Sequence, residues 1–366
     1  MSLLMTPIYN NTVALDQLKT AIDAGKLHHA NLIHSGPGEA ALPMAVRVAQ
    51  LLLCESQSAC GHCSSCKRVV TLQHPDLTLS FPFTSGGATG TSDDFIKEFR
   101  AAYQANPYLD PNGWQDCIAT KNQQLQIPVK EIQSIHHKLS LTAAEGKYRI
   151  LLLWMPESIK PAASNKLLKL IEEPLDNTFI LLATHDKGRL LPTITSRCAP
   201  WQCKPFQSEH FYEHFMNAPK NEVKLLSLIY APNLGAAIHA IQQNSTTELH
   251  LFANWMRSCY RGQAVEISER IDELSALSKE NLKGLLKHAQ HFLERGFYYN
   301  VQNVDSDATD LGVINVQKLS AAVTPRGAMN ISTTLEECLY DLERNVHTKT
   351  SLTYASYQLH SAFRGN

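Results

Sequence analysis

The chain has 366 residues, of which 44% are hydrophobic and 18% are charged, a composition typical of folded proteins rather than disordered ones. Its 33 basic and 34 acidic side chains leave a formal net charge of -1, which argues against a surface that binds nucleic acid everywhere. No apolar run reaches the roughly 20 residues that span a membrane, no signal peptide is evident, and nine cysteines, an odd number, suit a reducing compartment, so we expect a soluble cytoplasmic protein.

Strands and helices alternate in the first half of the chain. A short apolar run over 31–34 leads into a Ser-Gly-Pro-Gly turn and then into an Ala- and Leu-rich helix over 40–53. Further on, residues 150–154 predict a strand buried on both faces, followed by a helix over 162–173 and a second buried strand over 178–183. This alternation predicts an α/β domain with a mainly parallel sheet.

Residues 82–118 interrupt this pattern. The stretch 84–92 is rich in Ser, Thr and Gly and is expected to form a surface loop, 93–105 a short helix, and 107–113 a series of turns. The segment therefore has the character of an insertion in the α/β domain, and the sequence does not indicate its role.

The second part of the chain is predicted to be all helical. Strand patterns end near residue 206, and the helical segments that follow are 208–217, 220–230, 234–243, 246–260, 264–276, 279–299 and 332–346. The polar stretch 300–313 is expected to be a loop.

The sharpest local pattern is a cluster of four cysteines. They are Cys54, Cys60, Cys63 and Cys66. Zn²⁺ prefers four thiolates at the corners of a tetrahedron, and two cysteines that are separated by two residues can bind one ion from a single turn. We therefore expect a closed structural zinc site, with an iron–sulfur cluster or free thiols as the alternatives.

The turn after the first strand lies where a phosphate-binding loop would lie, but it lacks the residues that bind nucleotide. A working loop reads G-x-x-x-x-G-K-[ST], with the Lys on the phosphates and the Ser or Thr on Mg²⁺. The loop keeps Gly36 and Gly38, whereas the second Gly, the Lys and the Ser/Thr positions hold Ala41, Leu42 and Pro43. It is either a nucleotide loop without its chemistry or an ordinary turn between a strand and a helix.

The apolar strand over 150–154 has a similar defect. A Walker B strand ends in acidic residues that bind the metal, but this one ends in Trp154 and Met155, and Glu157 follows in the next turn. Two elements of a nucleotide site are thus recognisable by position and pattern but lack the residues that bind nucleotide. This favours the interpretation of the loop as a nucleotide loop that has lost its chemistry.

The region 155–205 closely resembles the AAA+ domain of bacterial DNA polymerase III clamp-loader subunits. The resemblance lies in the helix A-x-N-x-L-L-K-x-x-E-E-P, here 163–174, in the run L-L-P-T-I-x-S-R-C, here 190–198, in the pair His29-Ala30 and in the four cysteines. It implies three domains: an AAA+ P-loop-like parallel sheet domain with a zinc module (1–206, module 54–66), a small helical lid (207–244) and an all-α collar (245–366).

The resemblance also implies which residues act. Within the family, loss of the loop and Walker B residues is typical of the delta-prime type, which does not hydrolyse ATP, and Ala236 replaces an Arg of ATP-binding relatives. The Ser196-Arg197-Cys198 motif is intact, and in the family this Arg is an arginine finger that reaches the ATP of the neighbouring subunit. Ser196 and Cys198 would shape its turn, and a plain surface Arg197 is the alternative.

The implied role is that of a subunit in a complex. Its partners would be the gamma/tau and delta subunits of the clamp loader and, through the complex, the sliding clamp and primed DNA. Structural zinc would be its cofactor, no ATP would be bound, and polymerase activity would belong to the DNA polymerase III holoenzyme. The alternatives are an active gamma/tau-like AAA+ ATPase and a stand-alone zinc-binding DNA adaptor.

Overall fold

Two compact units make up the part of the chain that the structure, a computed structural model, describes. The first contains Met1–Gln207 together with Pro232–Ala236, and the second contains Ser208–Ala231 and Ala237–Asn366. The residues described are 6–84, 90–118, 124–242, 245–277, 282–283, 285–286, 290, 323–344 and 346–364.

Five parallel strands form the sheet of the first unit, in the order β2-β3-β4-β1-β5. They are β1 (Ala30–His34), β2 (Leu77–Ser80), β3 (Arg149–Trp154), β4 (Thr178–Thr184) and β5 (Ala199–Gln202). The central strands β3, β4 and β1 are almost entirely buried, because helices cover both faces of a parallel sheet. The predicted α/β architecture with a parallel sheet is therefore confirmed.

Eight helices accompany this sheet in the described residues of the first unit. They are α1 (Thr12–Asp23), α2 (Ala41–Leu53), α3 (Ser64–Val70), α4 (Ile96–Ala105), α5 (Pro111–Cys117), α6 (Val129–Ser140), α7 (Pro161–Glu172) and α8 (Pro192–Thr195). Helices α6 and α7 pack on one face, where Ile132 and Leu167 join the alternate strand residues Leu32, Leu151 and Leu182 in one apolar cluster. Every residue of α2 is buried, so this helix is part of the core.

Five predicted elements lie within one residue of their predicted bounds, namely β1, β3, β4, α2 and α7. The structure adds α1, α3, α6, α8, β2 and β5, which have no long apolar run. Strand β5 reads Ala-Pro-Trp-Gln, and none of its residues is fully buried. A proline is tolerated there because β5 lies at an edge of the sheet.

The predicted turns over 107–113 are wrong at their end, because α5 begins at Pro111. Asp110 caps this helix by accepting a hydrogen bond from the Gly113 N–H at 2.7 Å, and a proline fits the first helical position since its missing N–H has no partner to lose. The predicted helix over 93–105 is confirmed as a 3₁₀ turn that continues into α4. Of the predicted loop, 85–89 lie outside the described residues.

The second unit is helical wherever it has regular structure in the described residues. Its helices are α9 (Ser208–His214), α10 (Lys220–Tyr230), α11 (Leu234–Gln242), α12 (Ser245–Arg261), α13 (Ala264–Ser275), α14 (Pro325–Glu343) and α15 (Thr348–Phe363), and α11 starts within the segment that belongs to the first unit. The Trp255 indole joins α12 to α15 by donating a hydrogen bond to Ser356 Oγ at 2.7 Å.

Several bounds and elements of the second unit differ from the predictions, and the helix predicted over 208–217 ends at His214. The helix predicted over 332–346 begins earlier, at Pro325, and the sequence patterns missed α15. Most of the predicted helix 279–299 and all of the predicted loop 300–313 lie outside the described residues. The division into a lid and a collar stays a prediction. Across the described part of the chain, none of the helices combines the length and apolar character that a membrane span requires.

Candidate functional site

The four predicted metal ligands come together between α2 and α3. The Sγ atoms of Cys54, Cys60, Cys63 and Cys66 all lie within 4.8 Å of one another. Cys54 Sγ is 3.7 Å from Cys60 Sγ and 4.0 Å from Cys63 Sγ, and Cys60 Sγ is 4.0 Å from Cys66 Sγ. Sulfurs that surround a tetrahedral Zn²⁺ at ~2.3 Å are about 3.8 Å apart. The cluster therefore has the dimensions of a site for one ion.

The backbone of this turn also suits thiolate ligands. The Cys63 N–H donates to Cys60 Sγ at 3.5 Å, and the Cys66 N–H donates to Cys63 Sγ at 3.3 Å. Gly61 has a φ of 78°, a conformation that glycine adopts without strain, and it lets the chain bend between the ligands. Local sequence thus builds the site.

The acidity of these thiols follows from burial and hydrogen bonds. Burial raises the pKa of Cys54, but the Ser56 hydroxyl and nearby backbone N–H groups outweigh it and lower this pKa to about 5. The Cys63 N–H lowers the pKa of Cys60, whereas burial raises the pKa of Cys66. Two of the four sulfurs therefore favour the thiolate form that a metal ion requires.

The loop between β1 and α2 is closed by the chain itself. Gly38 has a φ of 66°, and its carbonyl accepts a hydrogen bond from the Gly235 N–H at 3.0 Å. A side-chain carbon added to Gly38 would lie 1.7 Å from Asn233 Oδ1, and one added to Gly235 would lie 1.8 Å from the Tyr108 carbonyl oxygen. The segment Pro232–Ala236 therefore packs directly on the loop.

Amide side chains hold this contact in place. Asn233 Oδ1 accepts a hydrogen bond from the Ala236 N–H at 2.7 Å, and Asn233 Nδ2 donates to Asp110 Oδ2 at 3.1 Å. Asn106 Nδ2 donates to the Gly235 carbonyl oxygen at 2.9 Å. Because Asn106 and Asp110 belong to the predicted insertion, this insertion takes part in closing the loop.

A buried carboxylate faces the backbone of the same loop. Glu39 is 5% exposed, and its carboxylate accepts a hydrogen bond from the Gly36 N–H. Burial raises the pKa of Glu39 to about 7, although the hydrogen bond from Gly36 lowers it. The Glu39 carboxylate thus accepts from a backbone N–H that a phosphate-binding loop would donate to its ligand.

The three replaced loop positions lie inside the protein. Ala41, Leu42 and Pro43 form the first turn of α2 and are fully buried. The Ala41 N–H donates to Ser35 Oγ at 3.0 Å, so a side chain of the loop caps this end of the helix. The positions that would hold phosphate and Mg²⁺ in a working loop therefore belong to the core.

A tryptophan, a histidine and a glutamate form a network at the ends of β3 and β4. The buried Trp154 indole N–H donates to His185 Nε2 at 2.9 Å, so His185 Nδ1 carries the proton and donates to the Gly36 carbonyl oxygen at 3.2 Å. Glu157 accepts from the Thr184 hydroxyl at 2.6 Å and from the His185 N–H at 3.0 Å. Burial lowers the pKa of His185 and keeps its ring neutral. Sequence patterns missed His185, because only the fold brings it to Trp154.

Aromatic side chains of the predicted insertion pack against the end of β3. The rings of Phe99 and Phe81 stack with centroids 3.9 Å apart, and Phe99 also lies 5.6 Å from Trp154 and 5.2 Å from Trp114. The Trp114 indole N–H donates to the Pro82 carbonyl oxygen at 2.6 Å. Met155, which follows Trp154, has a left-handed φ of 57°. The insertion is therefore part of the hydrophobic core beside the closed loop.

Arg197 lies in an exposed turn between α8 and β5. Its side chain is 42% exposed, and its Nε lies 2.5 Å from Glu172 Oε1 at the end of α7. Its Nη1 donates to the Thr193 carbonyl oxygen at 3.0 Å and lies 3.5 Å from Ser196 Oγ. Burial raises the pKa of Cys198 to about 11, which makes this thiol a poor nucleophile.

An open groove runs beside this arginine. It is lined by His28-His29, the end of α7 and residues 196–199, and we name it the Arg197 groove. His29 Nε2 donates to the Ile171 carbonyl oxygen at 2.8 Å, which ties the end of α7 to the start of β1. The groove thus presents a guanidinium that an anionic group of another molecule could reach.

Comparisons with known proteins point to one family. Residues 10–207 match the family model described as DNA polymerase III, delta subunit. DNA polymerase III subunit delta' of Haemophilus influenzae is 23% identical over 334 residues, with 87% of this chain and 88% of that protein covered. The protein of the same name from Bacillus subtilis is 28% identical over 192 residues, which cover 52% of this chain and 45% of that protein.

Solved structures add a more distant similarity. A DNA polymerase III gamma subunit-related protein from Thermotoga maritima is 14% identical and superposes with a TM-score of 0.43, covering 96% of this chain and 100% of that one. This score is too low to bear on the fold.

Proposed function

The chain belongs to the DNA polymerase III delta subunit family, and we propose that it serves as a delta'-type subunit of a bacterial clamp loader. In this role it assembles with gamma/tau and delta subunits and, through the complex, helps to load the sliding clamp onto primed DNA. It hydrolyses no ATP itself and donates Arg197 to the ATP site of a neighbouring subunit.

The exposed Arg197 is the observation that carries this proposal. An arginine finger needs a donor surface that reaches another subunit's nucleotide, and the donor need not bind nucleotide itself. Arg197 stands beside an open groove with about two fifths of its side chain in solvent. A planar guanidinium in that setting can stabilise the charge that develops on a transferred phosphoryl group.

The closed loop supports the absence of ATP chemistry in this chain. Gly235 packs on Gly38, and the Glu39 carboxylate occupies a loop amide. With a pKa of about 7 the Glu39 carboxyl group is ionised only in part near neutral pH, and in that form it would repel phosphate oxygens. Leu42 supplies no positive charge to offset them. These features support the proposal that this chain binds no nucleotide.

The cysteine cluster supports a structural metal site. Zn²⁺ held by Cys54, Cys60, Cys63 and Cys66 would have no open position for water, so it would stabilise the turn between α2 and α3 and not take part in catalysis.

The test is ATP hydrolysis by a complex reconstituted from this chain and its gamma/tau and delta partners. We expect Arg197→Ala to leave assembly intact and to slow hydrolysis, because the finger stabilises only the transition state. Arg189→Ala, a change at another exposed arginine, is the matched control and should have no effect. An unchanged rate with Arg197→Ala would remove the finger role.

Two other functions give different results. An active gamma/tau-like ATPase would bind and hydrolyse ATP as the isolated chain. A stand-alone zinc-binding DNA adaptor would form no complex when mixed with gamma/tau and delta subunits, which size-exclusion chromatography would reveal.

A further inference from the structure

Two of the three guanidinium nitrogens of Arg197 contact groups of this chain. Glu172 lies against its Nε and the Thr193 carbonyl oxygen accepts from its Nη1, whereas its Nη2 donates to no group in the described part of the chain. Because the guanidinium is planar and rigid, fixing Nε and Nη1 also fixes the direction in which Nη2 points. Nη2 is therefore the guanidinium nitrogen that is left to reach a phosphate.

Helix stability does not explain the position of Glu172. It is the last residue of α7, where the helix dipole and the unpaired carbonyl groups already create negative potential. An acidic side chain is unfavourable there unless a cation lies close to it. Arg197 is that cation, since its Nε and Glu172 Oε1 are 2.5 Å apart.

The end of α7 is itself fixed in place. His29 donates to the Ile171 carbonyl oxygen at 2.8 Å, and the Ile180 N–H of β4 donates to the His29 carbonyl oxygen at 2.7 Å. Glu172 is therefore attached through its neighbour to the central strands, so it provides a rigid support for a side chain on an exposed turn.

We propose that Glu172 is a positioning residue for Arg197. It holds the guanidinium so that Nη2 faces outward, ready for the phosphates of the nucleotide on the adjacent subunit. This role rests on the proposed finger function, and Glu172 makes no contact with nucleotide of its own.

The test uses the reconstituted clamp loader with Glu172→Gln, which keeps the size of the side chain and removes its charge. We expect kcat for ATP hydrolysis to fall about two- to five-fold, the range that an exposed ion pair supports, with KM for ATP unchanged. Glu173→Gln is the matched control, because it removes a charge from the same helix end without touching Arg197, and it should leave kcat unchanged.

A double variant separates positioning from a general structural effect. If Glu172 acts through Arg197, adding Glu172→Gln to Arg197→Ala should lower the rate no further. A full additional loss, or an unchanged or faster rate with Glu172→Gln alone, would overturn the positioning role and leave the finger intact. An unchanged rate with Arg197→Ala would instead overturn the proposed function.

Discussion

Glu39 shows how far a single residue can depart from its usual chemistry. Its carboxyl group is buried beside the Gly36 N–H, and burial raises its pKa to about 7. An acid in this setting holds its proton more tightly in the folded chain than in the unfolded one, so the protonation of Glu39 is coupled to folding.

This coupling predicts a pH dependence of stability. The free energy of unfolding should fall as pH rises from the ordinary pKa of 4.5 towards the folded value of about 7, because the unfolded chain releases the proton first. Glu39→Gln should remove this pH dependence, which amounts to up to about 3 kcal/mol in the free energy of unfolding. Urea denaturation at a series of pH values measures it. Profiles that stay parallel in the two proteins would contradict the expectation, and Glu173→Gln is the control at an exposed acid.

The sequence alone shows which loop residues are replaced. It does not predict which buried residues act around the loop as a result. Leu42 and Pro43 are visible in the sequence as departures from a known pattern. The carboxylate of Glu39 and the ring of His185 gain their roles only from burial and from contacts with distant residues. Arg197 was predicted as a finger by resemblance, and its ion pair with Glu172 follows only from the fold.

At the scale of elements, the turn between α2 and α3 is specified locally. We expect about one zinc per chain, measured by elemental analysis of the purified protein, and loss of the metal in Cys60→Ser together with Cys63→Ser. That loss should lower the thermal midpoint, because the metal stabilises the turn. Cys117→Ser, at an exposed cysteine outside the cluster, should keep the metal. Iron in place of zinc, or no metal, would contradict this prediction.

The predicted insertion contributes to the core, so shortening one of its buried side chains should lower the stability of the first unit. Phe99 is fully buried and stacks on Phe81. Phe99→Ala should destabilise the first unit by about 3–5 kcal/mol, measured as a shift in urea denaturation. Leu141→Ala is the control, because Leu141 is 57% exposed, and it should change stability little. A cost below about 1 kcal/mol for Phe99→Ala would show that the insertion packs loosely.

Some elements were predictable and others were not, for physical reasons. The strands β3 and β4 are continuous apolar runs, so their composition predicts that they are buried. Edge strands such as β2 are short and mixed in polarity, and they become strands only through pairing with a neighbour. Helix α5 was missed although its signal was present, since Asp110-Pro111 is a cap followed by a proline at the first helical position.

At the scale of the whole molecule, restoring lost side chains should not restore nucleotide binding. Leu42→Lys combined with Pro43→Thr rebuilds two loop positions, but Gly235 still packs on Gly38. We expect neither the wild-type chain nor this variant to bind ATP in isothermal titration calorimetry, with a gamma/tau subunit as the positive control. Binding by the variant would show that the missing side chains alone exclude nucleotide.

The segment Pro232–Ala236 has a consequence for dissecting the protein. It belongs to the first unit, yet the chain on either side of it belongs to the second. A truncation after Gln207 would discard the Gly235 amide that caps Gly38 and would leave Asn106 and Asp110 without their partners. A protease that nicks the chain at the same place would leave the segment bound by these contacts. We therefore expect the first unit to keep these contacts after a cut at residue 207 and to lose them when the chain ends there.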